Sequence, residues 1–428
     1  MAADQCDFPC SWPVAEIRSR FPALKRQIGG LPVCYFDGPA GSQVPQSVAD
    51  AVADYLIRCN SNRGSANATA IESDHLIDAA HQAVADFLNA PDPATVCFGA
   101  NMTTITLSVS RALSRTWSPG DEIIVTRLDH DANVSPWVLA ARDAGAKVHH
   151  VDLNPDDWTL NLDDFRSRLS DRTRLVAAGL ASNATGTINP IEQIAEESHS
   201  AGALVYADAV HAAPHRRIDV RKLNCDFLVC SAYKFFGPHV GILYGREDLL
   251  TEIEPYKLRP APNSIPGRWM TGTQNHEGIV GTKACIDYLV SLNQDDCDNR
   301  RCSEGNDRIE RLNRVFCQID QYEQQLSLRF LQGIAEIHDL SVVGISNQNM
   351  VQHRVPTFSL ISRRHLPQTL ATRLAQRGIF AWAGNHYALP FTEAADLEPH
   401  GTLRIGALHY NTIQEIDRVI GTLAELVS

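Results

Sequence analysis

One lysine is unusual because of its surroundings. Lys234 is the only lysine, arginine, aspartate or glutamate in the stretch CSAYKFFGPHVGILYG, residues 230–245. A strand predicted over residues 226–232 leads directly into it. A buried ammonium group without a partner is costly, so such a lysine either loses its charge or has a chemical reason to be there. A covalently bound cofactor is one such reason.

A carboxylate is predicted at the end of the preceding strand. Asp208 closes the apolar run over residues 203–209, and His211 follows three residues later. A carboxylate in apolar surroundings needs a cationic or N–H partner. The plainer alternative is a structural ion pair with Arg216 or Arg217.

A third stretch, FGANMTT at residues 98–104, is suited to hold a phosphate. A strand ends at Phe98, and Asn101 precedes a helix that begins with Met102 and Thr103. Free N–H groups at a helix start, beside a hydroxyl, bind phosphate. A simple helix cap by Asn101 explains the same residues equally well.

Two loops after predicted strands add polar groups. His130 lies in RLDHDANVSPW, residues 127–137, and Asn183 lies in ASNATGT, residues 181–187. A histidine in this position can lie on a flat ring and act as an acid or base, although a lone histidine is more often a surface or core residue. Asn183 can donate to a ligand oxygen, but asparagine is also a common turn residue.

These groups together match the chemistry of pyridoxal 5'-phosphate. Lys234 would form a Schiff base with its aldehyde, and Asp208 would pair with the pyridinium nitrogen. The helix that starts at Met102 would hold the phosphate. An anionic carboxylate at the ring nitrogen keeps the ring protonated and makes it an electron sink.

The elements that must position these residues alternate regularly. From about residue 90, apolar strands and amphipathic helices follow one another, which predicts a mostly parallel sheet covered by helices. Near residue 285 the chain becomes polar and helical, and later strands alternate with helices. We therefore predict an N-terminal arm over 1–30 that packs on the small domain, a large cofactor-binding domain over 31–285 and a small α+β domain over 286–428.

The overall composition narrows the class of protein. The chain has 428 residues, a formal net charge of −12 and 44% hydrophobic residues. The negative charge argues against nucleic acid or an anionic membrane as the main partner. The 11 cysteines form no C-x-x-C pair, and no ligand-spaced cluster predicts a metal. The absence of a leader-like or membrane-spanning segment predicts a cytoplasmic protein.

The order of the motifs resembles a known family over most of the chain. From VCYFDGPAGSQVPQSV through ADAVHAAPHRRIDV and SAYKFFGPHVGILYG to GTLRIGALHYNT, the sequence resembles class V aminotransferases of the cysteine desulfurase and selenocysteine lyase branch. The resemblance implies fold-type I, with a mostly parallel sheet of the seven-stranded type and a smaller C-terminal domain. It also implies a homodimer with shared active sites and a small amino-acid substrate.

The resemblance assigns roles to individual residues. Lys234 would be the Schiff-base lysine, Asp208 the ring-nitrogen partner and His130 the group that stacks on the ring. Three more residues would bind phosphate: Met102, Thr103 and Ser231. Asn183 and His211 would face the ring hydroxyl or the substrate. Thr273 would reach the phosphate of the neighbouring subunit, and Arg404 would bind the substrate carboxylate.

One loop departs from the family pattern. Where the desulfurases carry the cysteine that accepts sulfur, FAWAGNHYALPF at residues 380–391 has Tyr387. Trp382 stands where an arginine is common, and His386 keeps its register. A phenol cannot carry a persulfide, so the usual sulfur acceptor is missing. Tyr387 and His386 would shape the pocket or move a proton, and Trp382 favours a more apolar substrate.

The predicted function is therefore a pyridoxal-phosphate enzyme that acts at Cα or Cβ of an amino acid. C–S lyase, aminotransferase and epimerase chemistry all remain open. One alternative is an unorthodox cysteine desulfurase or selenocysteine lyase that releases sulfide without a loop cysteine. Another alternative, from a different class, is a non-catalytic relative that binds the cofactor.

Overall fold

The computed structural model describes residues 12–292 and 307–428. The part of the predicted arm over residues 1–11 lies outside these ranges. Trp12 donates from Nε1 to the carbonyl of His409 (2.8 Å), and Arg18 pairs with Glu415 at 2.9 Å, so the start of the described chain contacts its end. The elements of this first section are α1 (Val14–Ser19), β1 (Gln27–Ile28), β2 (Leu31–Pro32), β3 (Cys34–Tyr35), α2 (Gln46–Arg58) and α3 (Ala68–Leu88).

A seven-stranded sheet forms the centre of the molecule. Its strand order is β4-β10-β9-β8-β7-β5-β6, and only β10 runs antiparallel to its neighbours. The strands are β4 (Val96–Gly99), β5 (Glu122–Thr126), β6 (Lys147–Val151), β7 (Thr173–Gly179), β8 (Leu204–Asp208), β9 (Phe227–Ser231) and β10 (Gly241–Gly245). The helices among them are α4 (Met102–Leu113), α5 (Ser135–Ala144), α6 (Leu162–Arg168), α7 (Ile191–Ser200), α8 (Val220–Leu223) and α9 (Glu247–Glu252).

The sheet is buried on both faces, as its continuous apolar strands predict. In β8, Val205 and Ala207 belong to one core cluster, and Tyr206 between them belongs to another. Helix α4 covers the second face because its buried residues recur every three or four positions, including Ile105, Val109 and Ala112. The expected fold-type I architecture, a mostly parallel sheet with a smaller C-terminal unit, is confirmed.

The C-terminal part forms a second sheet. This four-stranded antiparallel sheet has the order β11-β12-β15-β14, with its own apolar cluster. Helix α10 runs through the domain boundary predicted near residue 285, and that boundary stays a prediction. The elements are α10 (His276–Val290), α11 (Asp307–Ala335), β11 (Leu340–Val343), β12 (Thr357–Ser362), α12 (Pro367–Gln376), β13 (Ile379–Phe380), β14 (Trp382–Gly384), α13 (Leu389–Ala394), β15 (Thr402–Gly406) and α14 (Ile413–Val427).

Short strand β13 pairs in parallel with β3, which joins the C-terminal part to the beginning of the chain. No helix in the described part of the chain combines the length and the apolar character that crossing a bilayer requires.

Candidate active site

The carboxyl ends of the parallel strands converge on one cavity, as expected for an open α/β sheet. Asp208 ends β8 and is in register with Gly179 of β7 and Val229 of β9. The cavity is lined by residues that follow five strands, among them Met102, Thr103, His130, Asn183, Asp208, His211, Ser231 and Lys234. All eight cofactor-binding candidates of the chain's own subunit therefore lie together.

Lys234 lies just beyond β9 and is half-buried at the bottom of the cleft. Its Nζ donates to the carbonyl of Pro39 and lies 4.9 Å from the centroid of the Tyr233 ring. Burial and the charge of Arg404 lower the pKa of Lys234 to about 7, and Asp208 opposes this shift. The amine is therefore close to half neutral at physiological pH, as a nucleophile or base requires.

Asp208 is buried and lines the same cavity. One of its oxygens accepts from the backbone N–H of Val210 at 2.8 Å, and the other has no partner among the described residues. Burial raises the pKa of Asp208 to about 6, although Val210 and Lys234 lower it. The alternative of a structural ion pair between Asp208 and Arg216 or Arg217 is not observed. Arg216 pairs with Asp320 at 2.6 Å. Arg217 donates to backbone carbonyls and to Asn313.

A second buried carboxylate was missed by the sequence interpretation. Asp129 accepts from the backbone N–H of Gly179 (2.7 Å) and from Asn133 Nδ2 (3.1 Å). Burial, with a contribution from Asp208, raises the pKa of Asp129 well above its ordinary value. A Cβ on Gly179 would lie 2.5 Å from Asp129 Oδ1, so only glycine allows this approach. The signal in the sequence was the acidic residue directly before His130.

The start of helix α4 faces the same cavity. Asn101 caps the helix by accepting from the backbone N–H of Thr104 at 2.9 Å, so the simple capping role exists. The Met102 N–H already donates to Ser231 Oγ at 3.1 Å. The exposed Thr103 leaves its N–H and hydroxyl available for a phosphate. A Cβ at Gly241 would come within 2.5 Å of the Asn101 backbone, which explains why β10 needs glycine beside this helix start.

His130 is held in one tautomer. Its Nδ1 accepts from the backbone N–H of Ala132 at 3.0 Å, which leaves the hydrogen on Nε2. Burial, followed by the charges of Lys234 and Arg404, lowers the pKa of His130 to about 4. The ring is therefore neutral near pH 7. His211 Nε2 lies 3.1 Å from Thr357 Oγ1, and burial lowers its pKa well below the ordinary histidine value.

A wider cleft of about 710 Å³ opens above Lys234. Arg404 of β15 reaches it and donates from Nη1 to the Asn183 carbonyl at 3.0 Å. Among the described residues, no carboxylate lies within ion-pair distance of its guanidinium. Burial lowers the pKa of Arg404 to about 9, against the opposing effects of Asp37 and Tyr233. A buried, unpaired guanidinium is suited to bind a substrate carboxylate.

The outer wall of this cleft comes from both parts of the chain. The C-terminal part contributes Trp382, His386 and Tyr387 to the lining of this cleft. Helices α4 and α5 contribute apolar residues to the same lining. Leu107, Pro136 and Leu139 were not among the sequence candidates. No cysteine among the described residues lines either cavity.

One predicted site residue lies elsewhere. Thr273 is exposed and lines neither the cofactor cavity nor the wider cleft of its own chain. Its predicted contact is with a neighbouring subunit and stays a prediction. In the described part of the chain, no group of His, Cys, Asp and Glu side chains is arranged to hold a metal ion.

The residues present fit pyridoxal phosphate. A lysine amine, a carboxylate with a free oxygen and a helix start with a free hydroxyl surround one cavity. The side-chain oxygen of Asn183, buried there without a partner, adds an unused acceptor. Each group of the cofactor thus meets complementary chemistry.

Comparison with known proteins agrees with this geometry. Residues 34–315 and 306–419 match the family described as Aminotransferase class-V. A probable cysteine desulfurase of Vibrio cholerae is 31% identical over 96% of this chain and 98% of its own length. An apo cysteine desulfurase from Thermococcus onnurineus superposes with a TM-score of 0.85 at 25% identity, over 100% of this chain and 99% of that one.

The cysteine desulfurase CsdA of Escherichia coli gives a TM-score of 0.81 at 26% identity, over 98% of this chain and 100% of that chain. The match in sequence and fold extends over nearly the whole protein. This chain belongs to the class V aminotransferases, a family of enzymes that use pyridoxal 5'-phosphate.

Proposed function

We propose that this enzyme acts at Cα or Cβ of an amino acid by C–S lyase, aminotransferase or epimerase chemistry. The observation that carries the proposal is the composition of the cleft. Lys234 and Arg404 meet there above Asp208, yet no described cysteine lines it. The groups that bind cofactor and substrate carboxylate are thus present without a sulfur acceptor.

The cofactor would be held by residues of the sheet edge. Lys234 would form the Schiff base, Asp208 would pair with the ring nitrogen, and His130 would lie against the ring. Thr103, Ser231 and the start of α4 would hold the phosphate. When bound, the cofactor supplies an electron sink that makes a bond at Cα or Cβ easier to break.

Lys234 is the group best placed to move the substrate proton. Its pKa of about 7 lets the amine accept and return a proton near neutral pH. His130 is a poor alternative, since its Nδ1 is occupied by the Ala132 N–H and its pKa is about 4. Its Nε2–H is left as a hydrogen-bond donor.

Arg404 would hold the substrate carboxylate and so point the side chain toward the outer wall. That wall contains Leu107, Pro136, Leu139 and Trp382. Trp382 is 54% exposed and Leu139 is 42% exposed, so both have apolar surface left to bury. This supports a substrate with a larger, apolar side chain.

The second candidate function is cysteine desulfuration without a loop cysteine, with sulfide released directly to a thiol in solution. The names of relatives such as the Vibrio cholerae protein favour it. A non-catalytic cofactor-binding relative is less well supported, because a scaffold would need neither the lowered pKa of Lys234 nor the unpaired Arg404. The family resemblance supports a cytoplasmic homodimer in which Thr273 reaches the partner's phosphate.

The test is product analysis with purified, cofactor-loaded protein, L-cysteine and a reducing thiol, with the Lys234→Ala variant as the blank. Sulfide with alanine would establish desulfuration, and sulfide with pyruvate and ammonia would establish β-elimination. If neither forms, amino acids with larger side chains and keto acids follow, monitored by the visible absorbance of the cofactor. An enzyme whose spectrum responds to none of them would contradict the proposal.

A further inference from the structure

The turn between β14 and α13 has a backbone conformation that is rare for its residues. His386 and Tyr387 are consecutive and have φ values of 55° and 56°, in the left-handed region. For residues other than glycine this conformation costs free energy, and it persists only where the surroundings hold it. Such strain is concentrated at functional sites, so its contacts indicate what the turn does.

Two residues of the cofactor cleft hold this turn by its carbonyls. The Asp131 N–H donates to the Tyr387 carbonyl at 2.6 Å, and Asn183 Nδ2 donates to the His386 carbonyl at 2.8 Å. The side chain of His386 contacts β15, since its Nε2 lies 3.1 Å from Oγ1 of Thr402. The two strained residues are thus fixed between β15 and the loops that follow β5 and β7.

The side chain of Tyr387 contacts His130 through the face of its ring. The ring is nearly parallel to that of His130, at an angle of 12° and a centroid distance of 5.6 Å. The residue is 74% exposed, and its hydroxyl has no hydrogen-bond partner among the described residues. The contact therefore places one face of His130 against a flat ring and leaves the phenol oxygen in solvent.

We propose that Tyr387 is a positioning residue. Asp131 holds its backbone carbonyl and Asn183 holds the preceding one, and the ring of Tyr387 sets the plane of His130 over the cofactor cavity. Ala132 fixes the imidazole at Nδ1, and the tyrosine ring fixes its rotation. His130 lines both the cofactor cavity and the wider cleft. The role assigned to Tyr387 uses its ring, and the alternative that Tyr387 moves a proton stays a prediction.

Through the contact between Tyr387 and His130, the turn between β14 and α13 can position the imidazole without moving during the reaction. A residue that carries a sulfur atom must reach away from the cofactor to pass it on, whereas Tyr387 is joined to the large sheet through its backbone and its ring. The inference rests on the proposed placement of His130 at the cofactor. It is independent of which reaction the enzyme performs.

The experiment compares Tyr387→Phe, Tyr387→Leu and Tyr387→Ala in the full chain, with Tyr256→Ala as the control. Tyr256 is a similarly exposed tyrosine (56%) that contacts Arg115 away from the cleft. The first readout is the pH titration of the His130 ring by NMR in protein without cofactor. We expect a pKa near 4 in the wild type, the Phe variant and the control, and an upward shift of at least one unit in the Leu and Ala variants, whose His130 gains solvent.

The second readout is the visible circular dichroism of the bound cofactor. We expect it to be unchanged in the Phe variant and at least halved in the Leu and Ala variants, with thermal unfolding unchanged in all of them. A Phe variant that behaves like Ala would assign the role to the hydroxyl and overturn the proposal. Leu and Ala variants with wild-type titration and dichroism would overturn it as well. Failure of the wild type to bind pyridoxal phosphate would refute the proposed function, while the titration would still test the contact.

Discussion

The edge of the seven-stranded sheet and the loop around Tyr387 form the same cleft in different ways. At the sheet edge, strand register places the residues: Asp208 lies beside Gly179 because β8 pairs with β7. In the loop, two hydrogen bonds from distant residues hold a strained backbone. The residues at the sheet edge are thus placed by strand pairing, whereas the loop is placed by contacts with residues distant in the sequence.

This difference separates two parts of the chemistry. The sheet edge contributes the groups proposed to hold the cofactor. The C-terminal part contributes Tyr387 and Trp382 to the lining of the wider cleft, where the substrate is proposed to bind. An enzyme can therefore keep its cofactor while the loop changes the reaction or the substrate.

The largest effect is expected at the sheet edge from Lys234→Ala. Loss of the amine removes the covalent attachment of the cofactor and the proton acceptor, so activity should fall by more than the roughly 10²–10⁴-fold that a lost general base costs. The visible absorbance of the bound cofactor should also shift. The exposed Lys147, at the far end of β6, provides the control Lys147→Ala. An unchanged spectrum in Lys234→Ala would disprove the assignment.

The second-largest effect is expected from Asp208→Asn, which should lower kcat roughly 10²–10³-fold. Removal of one preorganised electrostatic group from an active site has an effect of this size. The cofactor should stay bound because lysine and phosphate contacts remain. Asp121 is 8% exposed and pairs with Arg174 at the opposite edge of the sheet, so Asp121→Asn is the matched control. Full activity in Asp208→Asn would rule out the pairing with the ring nitrogen.

The pH dependence of cofactor uptake tests how the charges of Arg404 and Asp208 act on Lys234. Only the neutral amine attacks an aldehyde, so the rate of attachment to the apoprotein should rise roughly tenfold per pH unit below the pKa and level off above it. The midpoint should be about 7, since burial and Arg404 lower the pKa of Lys234 from the ordinary 10.5.

Stopped-flow absorbance measures this rate. Arg404→Met should move the midpoint upward, because a repelling charge is lost, and Asp208→Asn should move it downward. A midpoint near the ordinary lysine value in the wild type would contradict the buried environment of the amine.

The smallest effect is expected from Asn101→Ala, which removes the cap of α4 and costs about 1 kcal/mol of stability. Asn67 caps α3 in the same way, accepting from the Ala70 N–H at 2.9 Å. Asn67→Ala should therefore lower the unfolding temperature similarly. Only Asn101→Ala should also weaken cofactor binding, and equal cofactor affinity in both variants would show that the start of α4 does not hold the phosphate.

The alternation of strands and helices predicted the parallel sheet and its flanking helices. The strand predicted before Asn183 ends at Gly179. Strand β10, which pairs with β4 and β9, was not predicted. Its reversed direction depends on long-range pairing that local sequence does not encode.

The sequence by itself predicted which side chains reach one sheet edge. Asp208 ends an apolar strand, Lys234 and His130 each follow one, and strand ends meet at that edge. Only the tertiary structure decided that Asp129 lies beside Asp208, that Leu107 and Leu139 face Trp382 across a cleft, and that Tyr387 lies on His130. The physical reason is distance along the chain. Local patterns encode which residues leave a strand, but contacts between residues 130 and 387 exist only once both sheets have packed.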